Sequence, residues 1–295
     1  EGDVWYNAIT GKLRMYSAVG SWASGNDLNT ARVMGGDFGI QTAAMNAGGG
    51  PPAVAVVEQY DGTNWSEIAD INTARWDGTG MGTTAAGIIC GGNVPPITDI
   101  TEEWNGASWT EVGDLNDAKN GLDGAGTSTA ALAFGGSIPA ITTQSETWNG
   151  TAWTEGNDLN IGRSAQPGGF GTATAAVCAG GQDPSGPRTV NTELYDGSSW
   201  TEVNNLNTSK ADCTGVGGTQ TSGIVFGSTP ASALTELWDG TNWSEVNDMN
   251  TARHSITGAG TSSAAIAYGG GPNSPTYDTT EEWTMVVDIQ TVAFD

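Results

Sequence analysis

Short apolar runs and polar breaks alternate along the whole chain, and they return in a fixed order. Residues 123–155 show it clearly. Asp123-Gly124-Ala125-Gly126-Thr127 is rich in glycine, Thr129-Ala130-Ala131-Leu132-Ala133-Phe134 is apolar and stops at Gly135-Gly136, and a proline loop, Ser137-Ile138-Pro139-Ala140, follows. Thr143-Gln144-Ser145-Glu146-Thr147-Trp148 then leads through Asn149-Gly150 to Trp153-Thr154-Glu155. Runs of this length bounded by turn residues predict four strands, and the Asp/Asn-Gly pair predicts the tight hairpin before the last. That hairpin recurs as Tyr60 to Glu67, Trp104 to Glu111, Trp148 to Glu155, Tyr195 to Glu202 and Trp238 to Glu245. Glycine, threonine and serine interrupt the alanine-rich stretches every few residues, so no helical period builds up.

The second tryptophans of these hairpins fall at 22, 65, 109, 153, 200 and 243, spacings of 43, 44, 44, 47 and 43 residues. Four short strands and their turns fill such a period, which predicts a β-propeller blade with its glycine-rich strand innermost, where strands converge. The chain offers six glycine-rich first strands, six second strands, seven third-strand aromatics and six fourth-strand tryptophans. Trp22 is a fourth strand with no blade before it, and Trp283 ends a blade that lacks one. Joining the two closes the ring and removes an exposed edge.

The expected fold is therefore all-β, a six-bladed propeller of four-stranded antiparallel blades over 21–285. Residues 1–20 are expected to form an N-terminal β-hairpin attachment segment, with Ala8-Ile9-Thr10-Gly11 as its turn, and 286–295 a C-terminal extension. A chain that begins at Glu1 rather than Met is expected to be a piece of a longer polypeptide, or a processed one.

A cation, a double glycine (Gly48-Gly49, Gly91-Gly92, Gly135-Gly136, Gly180-Gly181, Gly269-Gly270), a Tyr or Trp with Asp/Asn-Gly, and a later tryptophan resemble the kelch repeat over residues 22 to 283. Gly227-Ser228 departs from it. The resemblance implies the propeller fold and leaves activity open, because kelch propellers serve as enzymes, adaptors and adhesins alike.

Charge sharpens the picture. With 33 acidic and 9 basic residues the formal charge is −24, which repels phosphate backbones and anionic membranes, so nucleic acid is not an expected partner. No run reaches the ~18 apolar residues of a spanning helix, so no membrane insertion is expected. Three cysteines, Cys90, Cys178 and Cys213, lack metal-site spacing and read as core thiols.

Six of the nine basic residues occupy one repeat position: Arg32, Arg75, Lys119, Arg163, Lys210 and Arg253. Six glutamates, Glu58, Glu102, Glu146, Glu193, Glu236 and Glu281, each precede a third-strand aromatic by two residues. One cation per blade in so acidic a chain implies a task, and structural pairing with these glutamates is the expected one. A ring of cations binding an anion at the channel mouth is the functional alternative. A second series, Glu67, Glu111, Glu155, Glu202 and Glu245, lies on the outer strand and is expected to protect that edge.

Candidate chemistry is sparse. The single histidine, His254, cannot build a metal centre alone and has no obvious serine partner in a GxSxG elbow. The turns at Asp27, Asp70, Asp114, Asp158 and Asp248, with Asn205 in the fifth repeat, could recruit calcium, but capping of backbone N–H groups accounts for them. No catalytic constellation, metal or cofactor is expected.

Recognition would fall to the positions that vary. The residue after each cation is Val33, Trp76, Asn120, Ser164, Ala211 or His254, and the loops after the second strands differ too, among them Gln182 to Arg188 and Gly271 to Tyr277. Both sets belong to one propeller face, where variation on a constant scaffold suits binding. Trp76, His254, Tyr277, Asn120 and Arg188 are the candidate binding residues, with the aromatics favoured for sugar or protein contact.

Finally, Gly2-Asp3-Val4-Trp5-Tyr6-Asn7 and Thr10-Gly11-Lys12-Leu13-Arg14 resemble a short module of bacteriophage tail fibre and other virion proteins, especially from marine phages, and the Trp-Asn-Gly-x-x-Trp arrays are similar to phage structural proteins. That resemblance implies a non-enzymatic virion component, a propeller on a fibre or capsid surface contacting other virion proteins and a host glycan or protein, with homo-oligomerisation open. A secreted or cell-surface bacterial kelch adhesin is one alternative, and a glycan-active propeller enzyme another.

Overall fold

The computed structural model describes residues 4–9, 12–272 and 276–291. Each repeat folds as a sheet of antiparallel strands that zigzag outward. In blade one these are Gly36–Ile40, Ala43–Ala47, Val57–Tyr60 and Trp65–Glu67. Blades two to five span 79–111, 120–155, 168–202 and 214–246 in the same order, blade three gaining the short strand Ala140–Ile141. Each inner strand lies beside that of the next blade, and the sixth, Thr257–Thr261, returns to the first. The molecule is a six-bladed β-propeller.

Blade six closes the ring. Lys12–Ser24 pairs with Thr280–Thr291 in one unbroken antiparallel register, from Arg14 opposite Thr291 through Trp22 opposite Trp283 to Ser24 opposite Glu281. The sequence places segment boundaries at 20/21 and 285/286, but both strands run straight across them. Backbone pairing costs little to extend once two strands are in register, so the closing ribbon continues past the blade, where Val4–Asn7 adds a strand against Lys12–Met15. Gly20 is required within it: a Cβ there would sit 1.8 Å from the Trp283 ring.

The core is a set of packed interfaces between blades. Both aromatics of each hairpin, Trp or Tyr followed by Trp, are buried, and the outer tryptophan reaches backward to the preceding blade. Trp22 meets Phe226, Trp65 meets Tyr268, Trp200 meets Phe134 and Trp243 meets Phe170, with ring centroids 4.6–6.3 Å apart in edge-to-face arrangements. The indole N–H usually ends on a hydroxyl of that blade: Trp153 donates to Thr101, Trp243 to Thr192 and Trp65 to Thr280, each at 3.0 Å. The hairpin turns hold themselves. Asp61 Oδ1 accepts the N–H groups of Thr63 and Asn64 at 2.8 and 2.7 Å, and Gly62 takes φ 92°. The cysteines lie in this core, and burial pushes each thiol up to about 12.

Replacing Trp243 by Ala removes the ring packed on Trp238 and Phe170 and should lower unfolding free energy by about 3–5 kcal/mol. Urea denaturation measures this; a cost below ~1 kcal/mol would contradict the interblade role.

Candidate binding site at the channel mouth

The six cations and six glutamates meet, one pair per blade. Arg163 Nη2 lies 2.8 Å from Glu193 Oε1, Lys119 Nζ 2.7 Å from Glu146, Arg32 Nη1 3.1 Å from Glu58 and Lys210 Nζ 4.0 Å from Glu236, and Arg75–Glu102 and Arg253–Glu281 are in close contact. All twelve side chains are buried. The Arg32 and Lys119 contacts are close ion pairs without hydrogen-bond alignment.

Each glutamate does more than pair. Glu193 Oε2 accepts Asn160 N–H at 2.7 Å and Asn160 Nδ2 at 2.8 Å, Oε1 accepts Ile161 N–H at 3.3 Å, and the Asn160 amide also donates to Trp200 O. The same asparagine contacts recur at Asn29, Asn72, Asn207 and Asn250. The arginines donate to carbonyls after the second strand as well, Arg163 to Gly180 at 3.1 Å and Asn191 at 2.5 Å. The node thus ties together both kinds of loop on one face. The aspartates of the same turns face the blade just left: Asp27, Asp114 and Asp248 accept the N–H of Thr280, Thr101 and Thr235.

Two residues beyond each cation the backbone turns left-handed. Met34, Asp77, Gly121, Ala165, Asp212 and Ser255 take φ of 56°, 64°, 64°, 58°, 50° and 51°. These residues link blade to blade in a closed ring of hydrogen bonds: Asp77 N to Met34 O, Gly121 N to Asp77 O, Gln166 N to Gly121 O, Asp212 N to Ala165 O, Ser255 N to Asp212 O and Met34 N to Ser255 O, all between 2.6 and 3.2 Å. In blade four the inserted Gln166 donates while Ala165 accepts. Non-glycine residues in this region cost roughly 1–3 kcal/mol each, and a closed ring of blade-to-blade hydrogen bonds is what holds them there.

The candidate residues sit around this ring. Trp76 is half-buried and exchanges backbone hydrogen bonds with Asn93; Asn120 donates from Nδ2 to Asp77 Oδ2 at 2.7 Å. His254 is half-buried with Nδ1 2.9 Å from Ser255 Oγ, so the neighbouring residue supplies a hydroxyl that motif reading does not offer. Tyr277, half-buried, donates its N–H to Gly270 O; Arg188 is exposed and donates to Thr229 O of the next blade's loop. Trp76, Asn120 and His254 border the mouth, while Tyr277 and Arg188 belong to the loops behind it.

Below the ring lies a cavity of about 130 Å³ lined by the inner strands, including Asp37, Asp123 and Gln166. Asp37 Oδ2 accepts Gly258 N–H at 2.6 Å; Asp123 accepts Gly124 and Gly169 N–H at 2.7 Å. Burial pushes the Asp37 carboxyl up to about 7, and burial plus the Asp37 charge takes Asp123 to about 8. Asp77 reaches about 7 through burial, against the Asn120 hydrogen bond, and burial raises Asp212 while His254 opposes it. Sequence reading passes over these carboxyls because they are exceptions to the repeat. The position two before the left-handed glycine of the inner strand is Gly80, Gly124, Gly169 and Gly258, but Asp37 in blade one.

No protein-family model matches the chain and no curated protein is similar to it in sequence. The solved structure of YjhT superposes with a TM-score of 0.73 over 90% of this chain and 99% of that one, at 12% identity, which shows a shared fold.

Arg163→Met leaves Glu193 buried without its cation and should cost about 3–5 kcal/mol in urea denaturation. Lys210→Met should cost less, because its ammonium lies 4.0 Å from Glu236 and burial already lowers its pKa. Equal, negligible losses would contradict the structural role of the pairs.

The carboxyls at Asp37 and Asp123 also set a pH dependence. Their folded pKa values exceed the ordinary 3.8, so the native state holds protons that the unfolded chain has released. Their contribution is full below about pH 4 and is lost as pH rises through 7 to 8, at about 1.4 kcal/mol per unit per carboxyl while the native group stays protonated. Stability should fall between pH 5.5 and 8, and Asp37→Asn with Asp123→Asn should make that fall shallower, Asp77 and Asp212 keeping their share of it; a wild-type profile flat over this interval contradicts it.

Proposed function

We propose that the chain is a non-enzymatic recognition component of a virion, a kelch-like propeller on a fibre or capsid surface whose channel-mouth face contacts a host glycan or protein. One observation carries this reading. At the position after each buried cation the backbone repeats while the side chain differs in every blade: Val33, Trp76, Asn120, Ser164, Ala211 and His254. Trp76, Asn120 and His254 are half-buried at the mouth while Val33, Ser164 and Ala211 are buried, and a rigid ring presenting three unlike side chains suits recognition. The ribbon formed by Val4–Asn7, Lys12–Ser24 and Thr280–Thr291 continues beyond the turn at Ser262 and Ser263, on the face opposite the mouth, which suits attachment to other virion proteins. The excess of acid suits a saline extracellular setting.

A catalytic reading is favoured by one contact, His254 Nδ1 to Ser255 Oγ at 2.9 Å beside Asp212. Ser255 is buried, which weakens it as a nucleophile for a polymer.

Glycan-array and host-cell binding by the purified chain separates the two. Binding without chemical change is expected, with Trp76→Ala weakening it by about 2 kcal/mol, the scale of an aromatic anchor. Product release from a bound sugar, abolished by His254→Ala, would establish the enzyme instead.

A further inference from the structure

Four buried or half-buried carboxyls line the axis of the propeller, and no lysine or arginine among the described side chains answers them; the His254 imidazole bears on Asp212 alone. Asp77 and Asp212 belong to the ring in blades two and five, three blades apart and so on opposite sides of the mouth, and Asp37 and Asp123 line the channel below. The six repeat cations are spent on glutamates, and Arg188 stands on an exposed loop. Asp77 Oδ2 takes one hydrogen bond, from Asn120, and Oδ1 stays open to solvent; the Asp212 carboxylate accepts none from described residues. A separate group points the same way. Gln166, 8% exposed, lines this channel, and its Oε1 has no hydrogen-bond partner.

We propose that the channel mouth binds a primary ammonium group, seated between Asp77 and Asp212 and drawn toward Asp37, Asp123 and the Gln166 carbonyl. This rests on the mouth being the recognition face. Among the described residues no group of three or more His, Cys, Asp or Glu side chains could hold a metal ion, so the carboxylates are too dispersed to coordinate one. An ammonium carries three donors and one charge, which suits acceptors spread around a mouth. A bound ammonium favours the ionised form of the carboxyls that face it, and the channel's low-dielectric walls focus their field on that charge. About 130 Å³ accommodates a few water-sized groups, enough for the end of a lysine side chain or the amino group of an amino sugar.

The test is calorimetric titration of the whole chain with glucosamine and with Nα-acetyl-lysine amide, each beside its N-acetylated counterpart, and with calcium chloride. Both free amines, or one, should bind, and acetylation should weaken binding at least ~10-fold. Binding of glucosamine alone assigns an amino sugar, binding of the lysine amide alone a protein side chain, and either supports the proposal. Asp77→Asn with Asp212→Asn should cost at least ~10-fold, asparagine being tolerant of the left-handed backbone. The acetylation comparison needs no variant, so it decides even where that variant fails to fold. Equal binding of acetylated and free forms, binding of calcium but of neither amine, or no binding of either amine overturns the proposal. Host-cell or glycan binding that persists in those cases leaves the recognition reading standing, and its loss alongside intact amine binding would remove only that reading.

Discussion

A buried carboxylate in each blade is the constraint from which the rest of this propeller follows. A charge taken out of water is tolerated only when its acceptors are filled, and each glutamate of the series fills them with one cation and the backbone and side chain of the loop entering its blade. The cation in turn holds carbonyls after the second strand. Two kinds of loop that would otherwise be independent are fixed to one point. That fixation sets the backbone two residues on, where the left-handed ring runs from blade to blade.

Regularity at the nodes leaves the side chains between them unconstrained. The hairpin tryptophans and the glutamates are committed to packing and pairing, and the face carries its variety in the residues that neither task uses. The exceptions to the repeat gather on the axis. Asp37 stands where other blades hold glycine, and Asp77 and Asp212 occupy left-handed positions elsewhere filled by Met34, Gly121, Ala165 and Ser255. An acid kept in so confined a place destabilises the fold as it ionises, and the channel carries that cost at four positions.

Much of this is legible in the residues. The tryptophan spacing and the double glycines specify the blades, because turn chemistry and packing act locally and repeat with the chain. The pairing of Arg163 with Glu193 is readable for the same reason: six offers of the same two charges leave few other solutions. Less legible is what joins distant parts. Asn160 looks like a turn cap in sequence, yet it caps nothing in its own turn and binds Glu193, 33 residues on. Nor does the pattern around Gly20 show that strand 12–24 continues the blade, since its partner lies at the far end of the chain. Motif reading finds no serine for His254, because Ser255 is placed by the ring rather than by an elbow.

The most direct test of the glutamate node is native-state hydrogen exchange at the asparagines it holds. Asn29, Asn72, Asn160, Asn207 and Asn250 lie on exposed turns, but each donates its backbone N–H to a buried carboxylate at 2.6–2.7 Å. These N–H groups should exchange as slowly as those of the second strands, opening only with global unfolding. Exchange as fast as that of the hairpin-turn amides of Gly62 or Gly197 would show that the node does not hold the loops, and would contradict the account.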